Sequence, residues 1–177
     1  MLDRPCRFPP LLFAFLGFAV AGSVFAAVPL DRGDTVIVRQ GVPIALHVPP
    51  ASNPPPASLG LLVCFGGQGD TVGAYQQLLA PLAEALDLIA VVPQMPWFAN
   101  PGTVDVAAVF AILGDLRRAL RETFGADPGL AIVAGASAGG ASACALAKRW
   151  NAPFLVLHST RRCIKEPTSR TVLLVGE

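Results

Sequence analysis

The 177-residue chain reads as an α/β domain with a doubly wound, mostly parallel sheet and an antiparallel hairpin at its N-terminal end. Three observations carry that reading. Short, almost wholly apolar runs recur along the chain, as strands covered on both faces require. Segments with apolar residues at helical spacing lie between them. Two β-branched runs split by Gln40-Gly41 precede them all, which is the pattern of a hairpin.

Composition narrows the classes. The length suits one domain. With 13 basic against 12 acidic side chains the net charge is +1, so the chain lacks the basic face by which nucleic-acid binders release counterions. No nucleic-acid partner is expected. Hydrophobic residues make up 53% and charged residues 14%, which argues against a disordered chain.

The first segment explains part of the high mean hydropathy of +0.57. Arg4 and Arg7 precede an uncharged apolar run from Leu11 to Val28, and Val24-Phe25-Ala26 puts short side chains where a signal peptidase needs them. Cleavage after Ala26 is expected, which makes residues 1–26 a signal peptide and 27–177 a secreted or periplasmic domain. The alternative is an anchor over residues 11–28, which is near the lower length limit for spanning a bilayer. Gly17, Gly22 and the alanine-rich end favour cleavage. Membrane contact is expected only through this segment. Cys6 would leave with it. Cys64, Cys144 and Cys163 remain, an odd number that argues against a full disulfide framework. Cys64 in an apolar strand and Cys144 in an alanine-rich helix are expected to be buried small hydrophobes. No His/Cys cluster has metal-ligand spacing, and no metal or cofactor is expected.

The elements follow in order. Thr35–Arg39 and Ile44–Val48 form the hairpin. Pro49 to Ser58, with five prolines, is an extended surface loop. Leu59–Phe65, Leu88–Val92, Leu130–Ala134, Phe154–Leu157 and Thr171–Val175 read as buried strands. Ala74–Leu86 sets Leu78, Leu79, Leu82 and Leu86 at helical spacing. Val104–Phe124 repeats apolar residues from Val109 to Phe124 and turns Asp115, Arg117, Arg118, Arg121 and Glu122 outward. Asp127-Pro128-Gly129 ends it.

The most informative segment is Gly135-Ala136-Ser137-Ala138-Gly139, a G-x-S-x-G directly after a strand and before a helix. A serine on a tight strand-to-helix turn protrudes above the sheet, and flanking glycines remove clashing side chains. The helix start aims backbone N–H groups at the same point. Ser137 is the candidate nucleophile and the Ala138 N–H a candidate oxyanion donor. The plain alternative is a turn of small residues. A dinucleotide fingerprint would need glycine at Ser137, and a phosphate loop of the Walker type would need a lysine that is absent. The strand ending in Phe65-Gly66-Gly67-Gln68-Gly69-Asp70 supplies a glycine-rich loop, from which Gly67 or Gln68 is the expected second donor. Trp97 and Phe98, after a strand end, are candidates for a pocket wall or packed loop aromatics. Arg161, Arg162 and Lys165 read as a solvated face.

On these motifs, residues 35–177 resemble the α/β-hydrolase superfamily, and within it secreted serine esterases of the polyhydroxybutyrate-depolymerase and feruloyl-esterase type. The stretches that carry the resemblance are LLVCFGGQGD, FGADPGLAIVAGASAGGASACALA and PFLVLHS. It implies Ser137 as nucleophile, Ala138 and Gly67 as oxyanion donors, and a small or polymeric ester as substrate. Phe65 departs from the histidine such enzymes commonly carry before the glycine pair. The family order is serine, then Asp or Glu, then histidine. After Ser137 come only His158, Glu166 and Glu177 as candidates, and His158 precedes both acids. His47, in the hairpin, is a weaker candidate still. The expectation is therefore an incomplete α/β-hydrolase-like domain: an exported ester hydrolase weakened by truncation, or a non-catalytic binding module or remnant. An open sheet edge and exposed apolar surface should accompany the missing part.

Overall fold

The computed structural model describes residues 30–51, 58–99, 104–159 and 170–174. The signal segment, most of the proline-rich loop, Arg161, Arg162, Cys163, Lys165, Glu166 and Glu177 lie outside them. Strands β1 (Gly33–Arg39) and β2 (Val42–Val48) form the expected hairpin, with Arg39 opposite Val42. Gln40 and Gly41 both have positive φ (50° and 77°), as a two-residue turn matched to strand twist requires.

The chain then alternates: β3 (Gly60–Phe65), α1 (Val72–Ala85), β4 (Leu88–Pro93), α2 (Val106–Phe124), β5 (Ala131–Ala136), α3 (Gly140–Trp150), β6 (Phe154–His158) and β7 (Arg170–Leu174). The sheet order is β1-β2-β4-β3-β5-β6-β7, antiparallel at β1–β2 and β2–β4 and parallel from β4 onward. The doubly wound, mostly parallel reading is correct. Leu130 belongs to a short 3-10 turn rather than to β5. The first two helices are set by their ends: Thr71 caps α1, Asp105 caps α2, and Gly125 closes α2 in the left-handed conformation.

The order β4-β3-β5 is the feature that places the site. From β3 the chain steps one way to β4, then back across β3 to β5. Right-handed crossovers therefore send α1 to one face of the sheet and α2 and α3 to the other. The contacts agree. Leu61, Val63 and Val91 share a small space with Leu113, Leu116 and Leu120 of α2 and Trp150 of α3. The Phe65 and Phe110 rings meet edge to face at 6.0 Å, and Arg117 of α2 lies 4.7 Å from the Trp150 ring centroid of α3. The chain leaves the carboxyl ends of β3 and β5 towards opposite faces at this reversal, the position at which α/β sheets bind their ligands.

The other face is covered unevenly. Helix α1 turns Gln76, Leu79 and Ala83 to the sheet over β2 and β4, and the Gln76 Nε2 donates to the Leu46 carbonyl at 2.6 Å. That inward row corrects the expected apolar stripe. Leu78, Leu82 and Leu86 stand on the solvent side, 68%, 46% and 54% exposed. Register and alternation put Ile132, Ala134, Phe154, Val156 and Val172 on this same face of β5–β7. No helix among the described residues lies over them, and Phe154 and Val172 are exposed.

The cysteines divide. Cys64 is a buried free thiol, as expected. Cys144 is not: it is half-buried and disulfide-bonded. On α3 it lies beside the buried row of Gly140, Ser142, Ala143, Leu146 and Ala147 and packs against the edge of the core.

Candidate active site

Ser137 follows the last residue of β5 and opens a 3-10 turn, Ser137–Gly139, that runs into α3. Its φ is +45°, the left-handed region that a β-carbon disfavours. Its neighbours show what holds it there. A Cβ on Gly135 would stand 2.6 Å from the Ala143 Cβ and 2.8 Å from the Gly139 carbonyl oxygen. A Cβ on Gly139 would meet the Gly66 carbonyl oxygen at 2.6 Å and drive into that of Phe65. The turn is squeezed between α3 and the end of β3, and the only direction left for the serine is outward. Ser137 and Ala138 are exposed while Gly135 and Gly139 are buried. The Ala138 N–H is among the first of the turn, which have no intrahelical acceptor, so it is placed to receive a negative oxygen.

The β3 loop comes to the same point. The Cβ direction of Gly67 lies 3.6 Å from the Ser137 Cβ and 3.1 Å from Asp70 Oδ2. The two loops expected to supply the site thus do meet, despite their separation in sequence, because β3 and β5 are neighbours in the sheet.

Trp97 and Phe98, expected as a pocket wall or as packed loop aromatics, brace this loop. The Gly69 N–H donates to the Trp97 carbonyl at 2.9 Å, the Ala99 N–H donates to the Asp70 carbonyl at 2.9 Å, and the Trp97 Nε1 donates to the Gly66 carbonyl at 2.9 Å. Phe98 is buried and stacks on Tyr75, centroids 6.5 Å apart at 20°. Trp97 and Phe98 are therefore packed supports of the glycine loop. The Gly67 N–H donates to Asp70 Oδ2 at 2.6 Å.

Burial, then the nearby Asp70 charge, pushes both the Cys64 thiol and the Tyr75 phenol up to about 12. Both stay neutral in the folded chain. The unfolded chain releases these protons near pH 9 and 10, and the folded chain holds them to about 12. Their contribution to stability is complete below pH 9 and is lost as pH rises towards 12. Denaturant midpoints measured from pH 8 upward are expected to fall through that window. A Cys64→Ala, Tyr75→Phe double variant should lose part of the slope, and an unchanged slope would show that other groups set it.

The histidines separate. His158 ends β6 opposite Ala136 and is exposed, so it lies at the elbow's end of the sheet. Among the described residues it makes no hydrogen bond to Ser137. His47 is buried, with Nδ1 2.8 Å from Asp34 Oδ1. It pairs with Ala90, whereas the carboxyl end of β4 at Pro93 pairs with Ile44, so His47 sits away from the site. Among the described residues no three His, Cys, Asp or Glu side chains could hold a metal.

No protein-family model matches the chain, and no curated protein does. Solved structures do. A poly(3-hydroxybutyrate) depolymerase from Bordetella parapertussis superposes with a TM-score of 0.58 at 14% identity, over 83% of this chain and 66% of its own. The fold is the α/β-hydrolase fold. A lidless α/β serine hydrolase from Xanthomonas campestris matches with a TM-score of 0.56 at 13% identity, over 82% of this chain and 72% of its own. A thermostable carboxylesterase from a metagenomic library matches at 0.54 and 21% identity, over 71% of this chain. Of that enzyme's length the chain spans about half, 45%. At these identities the likeness is one of fold. In this chain the Ser137 turn and the β3 loop lie together at the strand reversal described above.

Proposed function

We propose that this chain is an exported serine hydrolase of carboxylic esters. One observation carries the reading: Ser137, a residue with a β-carbon, is held at φ +45° on an exposed turn between two glycines that have no room for one. Backbone strain of this kind costs on the order of 1–3 kcal/mol and collects where a side chain must be presented. The esterase, hydrolase and depolymerase names of the structural neighbours support an ester as the substrate class. The apolar run over residues 11–28 with Val24-Phe25-Ala26 supports export and cleavage after Ala26.

In this reading the Ser137 Oγ bonds to the acyl carbon and passes its proton to a base. The Ala138 and Gly67 N–H groups hold the resulting oxyanion. Collapse expels the alcohol, and water then releases the acid. Both histidines of the sequence, His47 and His158, are described and neither is bonded to Ser137, so this reading assigns no acid or base within the chain. If this chain lacks them, turnover falls towards the roughly 10³–10⁴-fold over water that binding and an oxyanion hole give alone.

A second reading, a non-catalytic binding domain, is favoured by one contact: the Gly67 N–H already carries the Asp70 carboxylate. Labelling of the purified chain by a fluorophosphonate probe, with Ser137→Ala as control, separates the two. Labelling that the control abolishes is the expected result. A folded chain that does not label is the binding domain.

A further inference from the structure

A hydrolase of this design needs the Gly67 N–H free when the substrate carbonyl arrives, and the structure shows it engaged. We propose that Asp70 is a plug for the oxyanion site: its carboxylate rests on the Gly67 N–H where the substrate oxygen must sit, and it leaves as substrate binds. This rests on Ser137 as the nucleophile.

Four observations fit together. The Gly67 N–H to Asp70 Oδ2 bond is short, 2.6 Å, as charge-assisted bonds are. The Cβ direction of the same glycine lies 3.1 Å from Asp70 Oδ2 and 3.6 Å from the Ser137 Cβ, so the carboxylate and the nucleophile come together at one point of the loop. The loop backbone cannot easily move aside, because Gly66, Gly69 and Asp70 are tied to the 97–99 segment by three hydrogen bonds. Asp70 itself is only half-buried, so its side chain has a way out to solvent while the backbone stays.

The plug opposes reaction twice. It occupies the single proton that Gly67 can donate, and it sets a negative charge beside the point where the tetrahedral intermediate gathers its own. Tyr75, stacked on Phe98, packs against the loop at Gly66, where an added Cβ would stand 2.7 Å from its ring. A carboxylate here imitates the oxyanion, so the site accepts anionic oxygens even when no ester is present.

Substitution of Asp70 tests this. Loss of one oxyanion donor costs about 10²–10³ in turnover, and releasing a blocked one should return part of that. The full chain carrying Asp70→Ala is expected to react with the fluorophosphonate probe roughly 10–100-fold faster than the parent chain. Asp70→Asn keeps an acceptor for the Gly67 N–H but loses the charge, and its rate should fall between the two. A support for the loop or a base for Ser137 would give the opposite sign. If Asp70→Ala labels at the parental rate or slower, while Ser137→Ala stays blank, the plug is refuted and the nucleophile stands. If nothing labels, both fall together. Should Asp70→Ala fail to fold by circular dichroism, the isosteric Asn variant decides: a faster rate supports the plug, and an equal or slower rate refutes it.

Discussion

Ser137→Gly is expected to raise the melting temperature while abolishing all reaction with a serine-directed probe. The two effects have separate causes. Chemistry is lost with the Oγ, and removal of a nucleophile of this type costs on the order of 10⁶ in turnover. Stability is gained because the left-handed backbone, φ +45°, costs a residue with a β-carbon about 1–2 kcal/mol and costs glycine nothing. Glycine returns part of that gain through the greater freedom of the unfolded chain, about 0.4–1 kcal/mol. The net should be on the order of 0.5–1 kcal/mol, or roughly 1–4 °C in a domain of this size. Ser137→Ala keeps the β-carbon and should lose the chemistry with no rise in stability. Calorimetric melts of the three proteins decide the matter. A glycine variant no more stable than the alanine variant would show that no strain is stored at the elbow.

How far the site could be read from the chain follows from the range of each interaction. Strands and helices are local, and their periods are visible: β2, β4, β6 and α2 lie within about two residues of their expected bounds. The elbow is local as well, since Gly135, Ser137 and Gly139 fall within five consecutive positions and their steric roles follow from that spacing. The strand order is not local. Nothing in residues 60–93 tells β4 to lie on the far side of β3 from β5, and that reversal brings Gly67 to Ser137. The inward face of α1 was also hidden, because Gln76 is polar by composition and reaches the core through the Thr35 and Leu46 carbonyls of strands thirty or more residues away. Cys144 looked like a small core residue because its helix is rich in alanine, but the buried row of that helix passes beside it. Asp70 carried the one overlooked local signal. A carboxylate three residues after an N–H that needs an acceptor is the spacing by which side chains reach back at helix starts, and here it reaches into the site.

The elbow depends as much on what is missing as on the serine, and Gly139 shows it. Its Cα faces the end of β3 so closely that an added Cβ would meet the Phe65 and Gly66 carbonyl oxygens, the latter at 2.6 Å. Neither oxygen can give way cheaply. Phe65 is the last residue of β3, and the Gly66 carbonyl already accepts from the Trp97 indole. Gly139→Ala should therefore push α3 and the β3 loop apart and cost about 3 kcal/mol, the upper part of the range for overpacking a tight site. That corresponds to a fall of roughly 6–12 °C in the melting temperature. Probe labelling should fall further than the folded fraction does, because Gly67 moves away from Ser137 along with the loop. The control is Gly114→Ala, in the exposed middle of α2 with no atom within 4 Å of its Cβ direction. There the same substitution should stabilise by about 0.5–1 kcal/mol, since alanine replaces the most flexible residue in a helix. Opposite signs at the two glycines would show that the elbow is packed against the β3 loop as tightly as the geometry requires. Equal signs would mean that the two loops can part without cost, and that the oxyanion site is not a fixed one.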